Sequence, residues 1–361
     1  MHIAIIADSL DIQNAGVHVY TKNMIRSLQE QGIHKVTIFR LSSNTEDQYK
    51  NEIIVKRVIP FFQKDPLRLF FKLPSAIRRI NPDIVIEPAH FGPFNLPVRI
   101  KRVTIIHDLT PILFPQWHSF ISQKLQKIFL PSIIKKSSLI IANSDNTLND
   151  IIHYYPSAKK KTIKIYPGID PYFSTNNNFT EIKEPFFLNT GTIEPRKNLI
   201  TLLNAYCIFR KKNNQKHKLI ICGSKGWKNN EFYKKMDEHP YKEDIELRGY
   251  VDKETLKKLY ETTTAFIYPS IYEGFGLPVT EAMSCGAPCI IARDSSLIEA
   301  GGIAAKYFNP GDADDLYERM KELTESKETR GQMIKKGIEH SQQFSWENYV
   351  SILEDELLKM M

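Results

Sequence analysis

The sequence predicts two doubly wound, Rossmann-like α/β domains facing each other across a cleft. Short apolar runs alternate with helix-length segments, the series stops at a turn-rich stretch and then restarts, and 361 residues suit two cores better than one. The first run, residues 3–7, ends beside Asp8, and a helical stripe at 17–28 follows with Val19, Met24, Ile25 and Leu28 on it. Further strand-like runs lie at 36–39, 83–86, 103–106, 139–142 and 163–166. Strands that alternate with helices predict a parallel sheet covered on both faces.

After the turn-rich residues 167–178 the pattern repeats with runs at 186–189, 219–222, 245–247, 265–268 and 289–291. A first domain at 1–170 and a second at 171–345 follow, with a linker near 168–184. The last helix, 346–361, carries apolar residues at Val350, Ile352, Leu353, Leu357 and Leu358; that stripe fits the second domain or a return to the first. Ligands of such sheets bind beyond the carboxyl ends of the strands, so the site is expected to draw on both halves.

Composition narrows the class. With 49 Lys and Arg, 41 Asp and Glu, 42% hydrophobic and 25% charged residues, the chain is an ordinary globular one, which excludes disorder, collagen and coiled coil. No run reaches the roughly 18 uncharged apolar residues of a spanning helix, and the N-terminus lacks the pattern of a secretory signal, so a cytoplasmic protein is expected. Cys207, Cys222, Cys285 and Cys289 show no metal spacing and read as reduced, packed residues, Cys285 at a helix end and Cys289 on the following strand. The net charge of +8 is uneven: residues 1–170 hold 23 basic and 13 acidic side chains. Such a half is expected to meet something anionic, or to be a solvated lysine-rich surface.

The most informative segment is Tyr272-Glu273-Gly274-Phe275-Gly276-Leu277-Pro278-Val279-Thr280-Glu281. Pro278 suits the first turn of a helix, and the glycines let a ligand approach the backbone. The amides near Phe275, Gly276 and Leu277, at the positive end of that helix, form a seat for a diphosphate. Repulsion keeps Glu273 and Glu281 off the phosphates and leaves them to accept hydrogen bonds from sugar hydroxyls on either side. A second segment, Gly191-Thr192-Ile193-Glu194-Pro195-Arg196-Lys197-Asn198, follows a strand and opens a helix. Two cations at a helix start conflict with the dipole there, and an anion between Arg196 and Lys197 resolves the conflict. Such a pair stabilises a leaving diphosphate without a metal.

Together with Arg248-Gly249-Tyr250-Val251 and the late Phe344-Ser345-Trp346, these motifs resemble the retaining nucleotide-sugar glycosyltransferases of family 4, which have the GT-B fold. The match is specific in the second half and more architectural in the first. The resemblance implies an acceptor-binding first domain and a donor-binding second one. It implies that Arg196 and Lys197 grip the donor diphosphate, Glu273 the donor sugar and Glu281 the ribose. Arg248, Tyr250 and Val251 would hold the base, with Gly191 and Thr192 beside the donor. In the first half, Asn14-Ala15-Gly16-Val17 stands where the family has a glycine loop, so the amide of Gly16 or Val17 would reach phosphate or sugar; Ala15 replaces a second glycine common in the family. Ile106-His107-Asp108-Leu109-Thr110 matches the strand end that brings a histidine, here His107, to the sugar. His118 reads as structural or acceptor-facing.

Retention in glycosidases uses a carboxylate nucleophile. None stands out here, and the resemblance implies a front-face route in which the leaving diphosphate helps to deprotonate the acceptor. It implies no cofactor and no metal, only a nucleotide-sugar donor. Similarity of residues 106–115 to bacterial mannosyltransferases favours GDP-mannose over UDP-linked sugars. The acceptor class implied is a glycan or a polyprenyl-diphosphate-linked one, in building a surface polysaccharide.

Residues 59–80 interleave Phe61, Phe62, Leu69, Phe70 and Phe71 with Lys64, Arg68, Lys72, Arg78 and Arg79. That mixture suits an anionic bilayer, such as the inner face of the plasma membrane, or an amphipathic helix that buries its phenylalanines at home. Other classes fit less well. An epimerase of the same fold would need no acceptor surface. A nucleic-acid binder lacks a reader motif and a stacking pattern. A dinucleotide oxidoreductase lacks Gly-x-Gly-x-x-Gly after the first strand.

Overall fold

A computed structural model describes residues 1–12, 16–42, 49–59, 65–175 and 184–361. The chain forms two compact units, Met1–Gly168 with Ser345–Met361, and Ile169–Phe344. Asn14 and Ala15 of the glycine loop, Phe61, Phe62 and Lys64, and residues 176–183 of the proposed linker lie outside the described residues.

The first unit holds a parallel sheet of seven strands: β1 (His2–Ile6), β2 (Lys35–Arg40), β3 (Glu52–Ile54), β4 (Ile84–Glu87), β5 (Lys101–Ile106), β6 (Leu139–Ala142) and β7 (Thr162–Lys164). Their spatial order is β3-β2-β1-β4-β5-β6-β7, so the winding reverses between β1 and β4. Such a reversal opens a crevice beyond the strand ends where ligands sit. The strands are apolar on both faces because helices cover both. On one face Ile3, Ile5, Ile84, Ile86, Val103 and Ile105 pack with the helix Gly16–Gln31 through Tyr20, Met24 and Leu28. The final helix, Trp346–Lys359, lies on the same face, its Trp346, Tyr349, Val350, Leu353 and Leu357 buried in that cluster. The chain therefore returns to its first unit. Gly168 is where it passes: a Cβ there would lie 2.4 Å from the Trp346 amide nitrogen, so only glycine fits.

The other face is covered by Leu69, Leu73, Ile77 and Ile133, with Phe129 beside them. Much of the 59–80 segment is thus interior. Leu69 is buried, Phe70 stacks on Phe94 at 4.5 Å, and Arg68 is buried with two hydrogen bonds to Asp8 of 2.6 and 2.7 Å. Of its described phenylalanines only Phe71 is exposed.

The second unit repeats the plan with β8 (Phe186–Thr190), β9 (Lys218–Cys222), β10 (Ile245–Gly249), β11 (Ala265–Tyr268), β12 (Cys289–Ala292) and β13 (Lys306–Phe308). All pairings are parallel, in the order β10-β9-β8-β11-β12-β13, with the reversal between β8 and β11. All four cysteines are free thiols; Cys285 closes the helix Leu277–Ser284 and Cys289 opens β12. Burial raises the Cys285 thiol to about 12, which leaves it inert at neutral pH.

Candidate functional site

The reversal in the second unit brings together two segments that lie far apart in sequence. The loop after β8 runs from Gly191 to a single 3-10 turn, Pro195–Lys197, and the loop after the neighbouring β11 carries Glu273. Adjacent parallel strands end at the same edge, so both loops open there. The Ile271 amide donates to the Arg196 carbonyl at 2.9 Å, which ties the loops together.

Their side chains form a buried ion cluster. Lys197 Nζ is 2.6 Å from Glu273 Oε1 and Arg196 Nη1 is 2.5 Å from Glu273 Oε2. Arg196 also donates to Glu194 Oε1 at 2.7 Å and to the Tyr272 carbonyl at 2.8 Å, and Lys197 donates to the Tyr268 hydroxyl. The anion between the two cations is therefore a protein carboxylate. Burial pushes the Glu273 carboxyl up, but Arg196 and then Lys197 hold it down at about 2. Burial also lowers Lys197, against the pull of Glu273. The backbone of Glu273 is pinned as well, since its carbonyl accepts from Ser296 Oγ at 2.7 Å and its amide donates to Ser295 Oγ at 3.0 Å. Two cations and two carboxylates balance, and every member has a partner.

Beside the cluster the helix Leu277–Ser284 starts without a side-chain cap. Its N-cap is Gly276 at φ 104°, in the left-handed region, and a Cβ there would meet Leu297 Cδ2 at 2.8 Å. Phe275 is buried with its ring 5.2 Å from that of Phe344, so its side chain is an anchor and its backbone is what the loop offers. Glu281, on the same helix, is buried, and its carboxyl has no hydrogen bond or ion pair among the described residues. Burial, reinforced by Asp170, raises its carboxyl to about 8, so it is mostly protonated at neutral pH. Asp170 itself is ion-paired with Lys253.

The other second-unit residues lie at strand ends with looser roles. The Gly191 amide donates to the Cys222 carbonyl at 2.9 Å, and Thr192 is half-buried beside it. Arg248, on β10, is exposed and paired with Glu246 at 2.7 Å, Tyr250 is 66% exposed and Val251 is half-buried. These side chains stand apart from the ion cluster in their contacts.

In the first unit His107 follows β5. Its Nε2 is 2.7 Å from the Pro88 carbonyl, just after β4, so that nitrogen carries the proton and Nδ1 holds the lone pair. Burial lowers its pKa below 6.5, which keeps it neutral. The ring meets Tyr20 edge-on, centroids 4.8 Å apart, and Tyr20 donates its hydroxyl to that of Tyr349 at 2.5 Å. Trp346 packs against both tyrosines, so the returning helix buttresses the histidine. Asp108 does not touch the ring; it accepts from the Thr110 amide and hydroxyl at 2.9 and 2.7 Å. Gly16 opens the helix Gly16–Gln31 with unoccupied space where a Cβ would be, and Val17 is half-buried. His118 follows the turn Pro115–Trp117 and is half-buried.

Sequence reading missed Glu194, Tyr268, Tyr20 and Tyr349. Tyr268 had a usable signal, as the last residue of an apolar strand. The tyrosine pair had none, because its members come from opposite ends of the chain.

Comparison with known proteins places this arrangement. The family model described as "Glycosyl transferases group 1" matches residues 174–340, and "Glycosyltransferase Family 4" matches residues 14–173. The chain is 30% identical over 311 residues to the O-antigen chain mannosyltransferase B of Escherichia coli, covering 81% of this chain and 80% of that protein. It is 26% identical over 76% of its length to the serotype-specific mannosyltransferase WbdA of Escherichia coli, of which it spans 36%. Among solved structures, sucrose-phosphate synthase from Thermosynechococcus elongatus superposes with a TM-score of 0.82 at 19% identity, covering 100% of both chains. The fold is GT-B.

Proposed function

The chain belongs to the group 1 and family 4 glycosyltransferases and is a hexosyltransferase, and on that premise we propose that it transfers mannose from GDP-mannose, with retention, to a hydroxyl of a glycan or lipid-linked glycan during surface polysaccharide assembly. The observation that carries the donor site is the Glu273–Arg196–Lys197 cluster at the edge where β8 and β11 end. The choice of mannose rests on the relatives, which are mannosyltransferases by name.

The chemistry follows from the charges. Before donor binds, Glu273 neutralises the buried Lys197 and the half-buried Arg196 beside it. A diphosphate arriving at the uncapped helix start brings its own negative charge to those cations. Glu273 is then partly released to accept a hydrogen bond from a sugar hydroxyl. As the bond between the anomeric carbon and the phosphate oxygen breaks, charge grows on the diphosphate, where Arg196 and Lys197 stabilise it. The acceptor oxygen bonds to the anomeric carbon on the same face, and its proton goes to a phosphate oxygen of the leaving GDP. No metal enters this scheme. Glu281, protonated at neutral pH, has a proton to donate to a ribose oxygen as well as a lone pair to accept with. The neutral His107 offers Nδ1 as an acceptor for a sugar hydroxyl.

Thermal unfolding with GDP, UDP and their sugars tests the donor, because a ligand of the native state alone raises the midpoint. GDP and GDP-mannose are expected to raise it most. Slow hydrolysis of GDP-mannose followed by proton NMR reads the mechanism: the mannose first released keeps the donor's anomeric configuration. A midpoint raised only by uridine nucleotides removes the GDP assignment, and release of the opposite anomer removes retention.

A further inference from the structure

The two cations of the donor site are held in different ways. Arg196 is fixed by its shape: its planar fork reaches Glu194, Glu273 and the Tyr272 carbonyl at once, which leaves the guanidinium little freedom. Lys197 carries a compact charge on a flexible four-carbon stem, so what surrounds its tip must steer it. An ammonium has three N–H donors. One goes to Glu273 Oε1 at 2.6 Å and a second to the Tyr268 hydroxyl at 2.5 Å, which leaves the third for a ligand.

The sheet places Tyr268 for this contact. It is the last residue of β11, 1% exposed, and β11 lies beside β8, whose following loop carries Lys197. Its ring stacks on Phe266 with centroids 5.7 Å apart, and the Lys197 ammonium lies 4.7 Å from the ring centre. Gly191 closes in on the lysine stem, since a Cβ there would come within 3.3 Å of Lys197 Cε. The hydroxyl keeps its own proton at neutral pH, because burial and then the Glu273 charge push it well above 10. A phenylalanine would fill the same strand position with no polar atom to bury. What the hydroxyl adds is its bond to Lys197.

We propose that Tyr268 is a positioning residue for the transfer, its hydroxyl holding the Lys197 ammonium towards the diphosphate while Glu273 turns to the sugar. This rests on the donor site proposed above. Neutrality suits the hydroxyl to the role. A second carboxylate in that place would cancel the lysine charge and compete with the incoming diphosphate, whereas a hydroxyl directs the ammonium and leaves its charge intact. Glu273 cannot be the fixed point once donor is bound, because sugar and lysine then share it. The benefit is largest in the transition state. As charge grows on the leaving diphosphate, an ammonium already oriented stabilises it without rearranging.

The charges around Lys197 set the test. Burial lowers its pKa most, Glu273 across the loop raises it, Arg196 beside it lowers it and Glu194 raises it. Tyr268 adds an acceptor for the charged form, so its loss should lower the lysine further. Tyr268→Phe keeps the ring stack on Phe266, and near-ultraviolet circular dichroism checks that the fold persists. Calorimetric titration with GDP, wild type and variant at each pH, cancels the titration of GDP itself. In the variant the alkaline loss of affinity should begin about one pH unit lower. At pH 7 its GDP affinity should fall about threefold, and its hydrolysis of saturating GDP-mannose about tenfold or more. A pH profile and a hydrolysis rate equal to those of the wild type overturn the proposal. An equal fall in affinity and rate with an unmoved alkaline limb marks general damage and overturns it too. Lys197→Gln separates the two readings: wild-type GDP binding by that variant removes the donor site itself, and the positioning role with it. Weak binding there beside wild-type behaviour of Tyr268→Phe removes the positioning role alone.

Discussion

The two units present different chemistry at their strand ends. Beyond β8 and β11 the second unit gathers two cations and two carboxylates into a balanced, buried cluster. Beyond β4 and β5 the first unit offers one neutral imidazole, held by a backbone carbonyl and an aromatic edge. β4 and β5 lie one strand along from the first unit's own reversal at β1 and β4, where Asp8 pairs with Arg68, so both units are ionic at the reversal and the uncharged site is its neighbour. A diphosphate needs fixed charge that is already oriented; a sugar hydroxyl needs a single directed lone pair.

The comparison breaks most visibly at Glu273. Replacing it by Gln leaves the buried Lys197 and the half-buried Arg196 with one carboxylate fewer, so native stability should fall by about 3 kcal/mol in urea unfolding. Turnover should drop by about 100-fold or more, while GDP binds at least as tightly because the competing carboxylate is gone. Tighter donor-product binding with lost turnover separates this role from simple damage to the fold.

Glu281 gives the next effect, one that depends on pH. Its folded value of about 8 lies above the ordinary 4.5, so between those limits the unfolded chain loses a proton that the folded chain keeps. Stability therefore falls with rising pH through that window, by about 1.4 kcal/mol per unit from this group. Glu281→Gln should be neutral near pH 4.5 and stabilising near pH 8, measured as the difference in urea midpoints at the two ends.

On the first-unit side, His107→Phe keeps a ring against Tyr20 but removes the nitrogen lone pair. Turnover should fall about 100-fold with GDP affinity little changed, and loss of the bond to the Pro88 carbonyl should cost about 1 kcal/mol of stability. The smallest effect belongs to Tyr349→Phe, which breaks the hydroxyl pair with Tyr20 and should cost about 1 kcal/mol of stability. Its kcat should drop only severalfold, since the histidine keeps its Pro88 bond.

The strands β2, β4 to β6, β8, β9, β11 and β12 were legible in the sequence because buried parallel strands read as apolar runs; β10 was legible too, though only Ile245 of it is buried. β3 and β13 were not: each has three residues at a sheet edge, mostly half-buried, and includes a charged residue, Glu52 or Lys306. The segments holding Arg196, Lys197 and Glu273 were legible as glycine and proline punctuation around charge. Their mutual pairing was not, since it joins positions 76 apart and depends on β8 lying beside β11. Amphipathic periodicity shows that a helix has an inner face and not which core it covers. For the last helix only the contacts of Trp346 and Tyr349 decide. Likewise the phenylalanines of 59–80 gave no sign of which were interior.

The claim on which the account rests is that the second unit's cations hold the donor diphosphate. Calorimetric titration of GDP into Arg196→Gln, Lys197→Gln and His107→Phe tests it directly. Each cation variant should bind about 10- to 100-fold more weakly, the loss expected for a charged hydrogen bond, while the histidine variant binds as the wild type does. Equal affinity across the three variants would contradict it.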